Sequence, residues 1–79
     1  MKILYRCMFR TETLISWEYG FTPVMSGGDK THPNYPHDHG SLRADTNELR
    51  HTVYKVKGAP NPPVFDVGAE YLVVLTEAR

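Results

Sequence analysis

The segment that most constrains the fold is the last apolar run, Tyr71-Leu72-Val73-Val74-Leu75-Thr76, because of what precedes it. Gly58-Ala-Pro-Asn-Pro-Pro63 carries three prolines in six residues, and proline donates no backbone hydrogen bond, so this stretch is a loop. Val64-Phe65-Asp66-Val67-Gly68 then leads into the run. Six residues rich in Val, Leu and Tyr are too short for a helix of ordinary length and suit a strand. With Phe65 and Val67 set before a Gly68-Ala69-Glu70 turn, both are expected to pack into the core. Gly68 is expected to take a positive φ. Leu72, Val73, Val74 and Leu75 in succession imply burial on both faces, or on one face plus a partner.

The rest of the chain repeats the β pattern. Lys2 to Arg10 holds Ile, Leu, Tyr, Cys and Phe and stops at Thr11-Glu12-Thr13, a strand followed by a turn. Leu14 to Met25 is apolar and aromatic but broken by Gly20 and Pro23. A strand accommodates these as a bulge and an edge position; a helix does not. The two form an expected hairpin. His51 to Lys57 alternates, with Val53, Lys55 and Lys57 on one side and Thr52, Tyr54 and Val56 on the other. Ser41 to Arg50 fits one or two helical turns capped by Asp45 or Thr46, and equally a short strand and a turn. The expectation is one all-β domain over 1–79: a small antiparallel barrel or sandwich of about five strands, with room for a short helical turn near 45–50.

Size and charge narrow the function. Seventy-nine residues bury only about 60–65% of the surface of the unfolded chain. Cys7 is the single cysteine, so no internal disulfide can help; it reads as a small buried apolar residue. A partner subunit is the natural remaining support. Nine basic residues balance nine acidic ones. Nucleic-acid binders of this size show a cationic excess, which disfavours that class. Tyr5, Phe9, Trp17, Tyr19 and Phe21 could form a base-stacking platform, but alternating aromatics more often build a core. No apolar run is long enough for a signal sequence or a spanning helix, so no membrane is expected.

Ser26 to Gly40 is a fifteen-residue Gly/Pro-rich loop, and loops of that length are more often functional or disordered. His32, Tyr35, His37, Asp38 and His39 are its candidate contact residues. In an extended segment His37 and His39 would share a side, and with His32 they are weak candidates for zinc. A Gly/Pro-rich loop lacks the rigid support a metal site needs unless packing anchors it, so no metal and no cofactor is assigned. His51-Thr52 resembles a base–nucleophile pair only superficially. The carboxylates are scattered, and Ser26-Gly27-Gly28-Asp29 lacks the Lys-Ser/Thr of a phosphate loop. No enzyme chemistry is expected.

Tyr19-Gly20-Phe21-Thr22-Pro23-Val24 with Ser26-Gly27, and Phe65-Asp66-Val67-Gly68-Ala69-Glu70-Tyr71-Leu72-Val73 running to Thr76-Glu77-Ala78, resemble a group of small tailed-phage accessory and structural proteins. The resemblance covers about half the chain and departs in the His/Pro loop and in Gly58 to Pro63. It implies phage origin, a small β fold, and a non-enzymatic structural or interaction protein such as a capsid-decorating or head–tail accessory subunit. Partners would then be capsid or other virion subunits, or further copies of the chain, in the virion or host cytoplasm. A binding module that modifies a host or defence protein, and a small nucleic-acid-binding barrel, are the alternatives.

Overall fold

The computed structural model describes residues 1–39 and 48–76. Within them lie four strands, β1 (Lys2–Glu12), β2 (Ser16–Pro23), β3 (Leu49–Tyr54) and β4 (Glu70–Val74), and one 3-10 turn (His37–His39). They form one antiparallel sheet in the order β3-β2-β1-β4, curled into a half-barrel. The all-β expectation holds, with four strands among the described residues where about five were expected.

The β1–β2 hairpin is the spine. Its turn lies two residues later than the sequence suggested, because Thr13 closes it. The Thr13 N–H donates to Ser16 O at 2.8 Å, and Thr13 Oγ1 accepts from the N–H of Ser16 at 2.9 Å. Leu14 and Ile15 therefore form the exposed tip instead of opening a strand. The bulge also sits elsewhere than expected. Cys7 faces Phe21 and Phe9 faces Gly20, so the extra residue is Met8 on β1, not Gly20 on β2.

That bulge reverses which residues point inward. Before it, Ile3, Tyr5 and Cys7 line the concave face, buried opposite Val73, Tyr71 and Phe21. After it, Arg10 and Glu12 take the concave side, opposite Tyr19 and Trp17, and Phe9 turns to the convex side. There its ring lies where a Cβ on Gly20 would be, with Phe9 Cε1 only 2.1 Å from that position. The Arg50 guanidinium stacks over the same ring at 4.7 Å. Gly20 thus makes room for the Phe9 ring and does not bend the strand.

β3 begins earlier and ends earlier than its alternation implied. Leu49 and Arg50 belong to it, so the helical reading fails there; 45–47 lie outside the described residues. Leu49 and Val53 pack against the core, whereas Val56 and Lys57 fall beyond the strand and are exposed. In β4 Tyr71 and Val73, and Leu75 just after it, pack inward; Leu72 and Val74 are 53% and 62% exposed. Burial on both faces is therefore not what the run encodes. The pleat puts alternate residues on the open convex side.

No fifth strand covers the concave face among the described residues. The proline-bearing loop between β3 and β4 crosses it instead, and Phe65 drops into it. Val67, expected beside Phe65 in the core, is 54% exposed, since the chain turns outward at Asp66 to reach Gly68. Gly68 does take a positive φ, +87°, and a Cβ there would meet nothing within 4 Å. Gly68→Val should accordingly cost about 1–2 kcal/mol through backbone strain alone. Urea unfolding would measure that loss, with Gly68→Asn expected to lose less because Asn tolerates this conformation better.

Candidate protein-contact site

The concave face is organised by aromatic rings whose polar ends reach the crossing loop. Trp17 Nε1 donates to Asn61 O at 2.8 Å. The Val64 N–H donates to Tyr19 Oη at 2.9 Å and the Asp66 N–H to Tyr71 Oη at 2.8 Å. Arg10 Nη1 donates to Phe65 O at 3.2 Å. Between these ties the Phe65 ring stands edge-on to Tyr19 (5.0 Å, 86°), Phe21 (5.3 Å, 89°) and Tyr71 (5.0 Å, 82°). Such edge-to-face pairs add about 0.5–1.5 kcal/mol each beyond the area they bury.

One half of the face is polar. Trp17 lies between Arg10 and Lys55, each 5.8 Å from its ring centroid, and Lys55 Nζ meets Glu12 Oε2 at 2.7 Å. The other half is an open apolar groove. A cavity of about 350 Å³ runs between β3 and β4, lined by Phe21, Leu49, His51, Phe65, Tyr71 and Val73, with Leu72 at its margin. Its walls are edge strands whose outer sides carry no strand among the described residues. His51 is part of this wall, with its ring 6.1 Å from Phe65 and tilted at 73°.

The Ser26–His39 loop is pinned by a residue that the sequence did not single out. Asn34 is completely buried. Its Oδ1 accepts from the Leu4 N–H at 2.7 Å, and its Nδ2 donates to Leu4 O at 2.9 Å and Val24 O at 2.6 Å. The side-chain amide thereby behaves like one more peptide unit where β1 and β2 part. An asparagine among prolines in a polar loop carries no pattern that reveals this.

The predicted loop residues divide around that anchor. His32 is half-buried, and its Nδ1 accepts from the Asn34 N–H at 3.1 Å, so it serves the local turn. Asp38 is half-buried and accepts from the Ser26 N–H, closing the base of the loop. Tyr35 is half-buried and His37 exposed. His37 and His39 belong to a 3-10 turn, not an extended segment, so the shared-side argument for them does not apply. Among the described residues no group of three or more His, Cys, Asp or Glu side chains is placed to hold a metal. The loop is an ordered, anchored surface carrying Tyr35 and His37 at its rim.

Cys7 is fully buried, and that burial raises its thiol pKa, against a smaller opposing pull from Arg10. It is a packing residue, as the sequence implied. Burial likewise raises the Tyr5 phenol. Asp29 is lowered, chiefly by hydrogen bonds from the Thr31 hydroxyl (2.7 Å) and N–H (2.9 Å). None of the three lines the groove. Among the described residues no helix is long and apolar enough to cross a membrane.

Asn34→Ala should destabilise the protein by about 2–3 kcal/mol, because it strips partners from buried backbone groups of Leu4 and Val24. Asn34→Asp should fail to restore stability at neutral pH, since an acceptor would then face two carbonyl oxygens. Thermal unfolding of both variants checks this. No family model, curated protein or solved structure matches the chain.

Proposed function

We propose that this chain is a non-enzymatic interaction protein of a phage, a capsid-decorating or head–tail accessory subunit, that docks on protein through the half-open face of its sheet. The observation that carries the reading is the apolar groove between two edge strands. The groove's apolar lining residues Leu49, Phe65, Tyr71 and Val73 are only half-buried, and Leu72 and Val74 on the adjoining edge stay exposed. A small domain that leaves this much apolar surface in water gains stability when a partner covers it. Edge strands beside an apolar groove offer both halves of strand addition, backbone hydrogen bonds for affinity and a pocket for side chains. The resemblance to small tailed-phage proteins supports taking virion subunits as the partner class.

The nucleic-acid alternative is weakened by what the rings already do. A stacking platform presents flat, open faces to bases. Here Tyr19, Phe21 and Tyr71 are already packed against Phe65 in perpendicular pairs, and Trp17 has Arg10 and Lys55 each 5.8 Å from its ring centroid. Formal net charge is zero, so phosphate attraction is weak. Mass spectrometry of purified virions, with co-sedimentation of the protein and intact particles, tests the proposal. Detection in virions and saturable binding are expected. Absence from virions together with no binding to particles would refute it.

A further inference from the structure

We infer that β4 is a self-pairing edge, through which two copies of this chain join as an antiparallel, two-fold dimer. This rests on the interaction-protein reading and names a second copy as one of its partners. Four observations carry it.

First, the free side of β4 is defined by its bonds on the other side. Met1 N donates to Leu75 O at 3.0 Å, and the Leu75 N–H donates to Met1 O at 2.7 Å. Hydrogen-bonded and non-hydrogen-bonded pairs alternate along an antiparallel ladder. With Ile3 opposite Val73 and Tyr5 opposite Tyr71, the backbone groups of Tyr71, Val73 and Leu75 serve β1. Those of Leu72 and Val74 point outward, where no strand of the described residues lies.

Second, β4 lacks the devices that keep an edge single. Natural edges carry lysine, proline, a bulge or an inward charge. From Tyr71 to Val74 β4 has none, nor does Leu75 after it, and Glu70 at its start is engaged by Arg6 Nη2 at 3.0 Å. β3, the other edge, carries Arg50 and His51.

Third, the strand is self-complementary in a single register. A two-fold axis at Val73 sets Leu72 opposite Val74 of the second copy on the convex face, and Tyr71 opposite Leu75 of the second copy on the concave face. Every such pair is apolar, and Leu72 and Val74, both exposed in the single chain, cover each other. Sliding by one repeat either way sets Glu70 opposite Val74, or Thr76 opposite Leu72. Outward backbone groups of Leu72 and Val74 meet only when even-numbered residues face even-numbered ones, which the axis at Val73 satisfies. Fourth, zero formal net charge removes the repulsion between copies that keeps many small proteins apart.

Sedimentation velocity on the full chain tests the inference, and circular dichroism melts confirm that each variant folds. The wild type is expected at twice 9.0 kDa. L72E/V74E places like charges opposite each other across the axis and should raise the dimer dissociation constant by about tenfold or more. L72K/V74E differs only at position 72, places opposite charges there, and should dimerise more tightly than L72E/V74E by a similar factor. A wild type that stays monomeric at its solubility limit overturns the inference, as do two folded double variants with equal dissociation constants. Neither result touches the virion proposal, which is read from particles.

Discussion

The Phe65 ring, held edge-on by Tyr19, Phe21 and Tyr71, is the contact on which the rest of the structure depends. The three rings come from β2 and β4, and β1 lies between those strands. A curled sheet of four strands cannot shield its own concave face, and here a single side chain from a connecting loop takes the place of further strands. Because Tyr19 and Tyr71 also accept hydrogen bonds from Val64 and Asp66, the residues flanking Phe65 are fixed by the same rings that surround it. Apolar packing and backbone satisfaction are therefore one arrangement, and the proline loop needs no secondary structure of its own to be ordered.

The functional proposal follows from how incomplete that closure is. Phe65 fills the middle of the concave face, Arg10, Lys55 and Glu12 cover one end over Trp17, and the end between β3 and β4 remains open. The apolar run of β4 has its inward half committed to the core and its outward half in water. Asn34 meanwhile holds the His-containing loop against the other end of the hairpin, so that Tyr35 and His37 sit on a fixed support. Groove, edge and loop rim thus form surfaces on a rigid frame, as binding by a small domain requires.

The fold class was legible because β-branched and aromatic residues recur between turn-forming clusters, and periodicity of two is hard to mistake once Gly and Pro rule out helices. Phe65 in the core and Gly68 at positive φ were legible for the same local reasons. Errors arose where a long-range partner decides. The Met8 bulge is invisible in β1 alone, since its position depends on how Cys7 and Phe9 meet β2. Gly20 invites a bulge reading because nothing nearby in sequence shows that the Phe9 ring will lie over it, with Arg50 stacked on that ring. Val67 is exposed and the β4 run is buried on one face. Of burial on both faces or on one face plus a partner only the second remains, since hydrophobicity records that a residue can be buried and not whether anything is there to bury it. In the loop, the histidines drew attention by type, whereas Asn34 acts through geometry that only the folded chain supplies.

The central claim is that Phe65 closes the half-barrel, and the most direct measurement is native-state amide exchange combined with urea unfolding of Phe65→Ala. A loss of about 2–3 kcal/mol is predicted, reflecting a half-buried aromatic removed from a packed site. The Val64 and Asp66 amides should lose protection while the β1–β2 ladder keeps its own. Stability within about 0.5 kcal/mol of the wild type, a change ordinary for a surface substitution, with both amides still protected, would contradict the account.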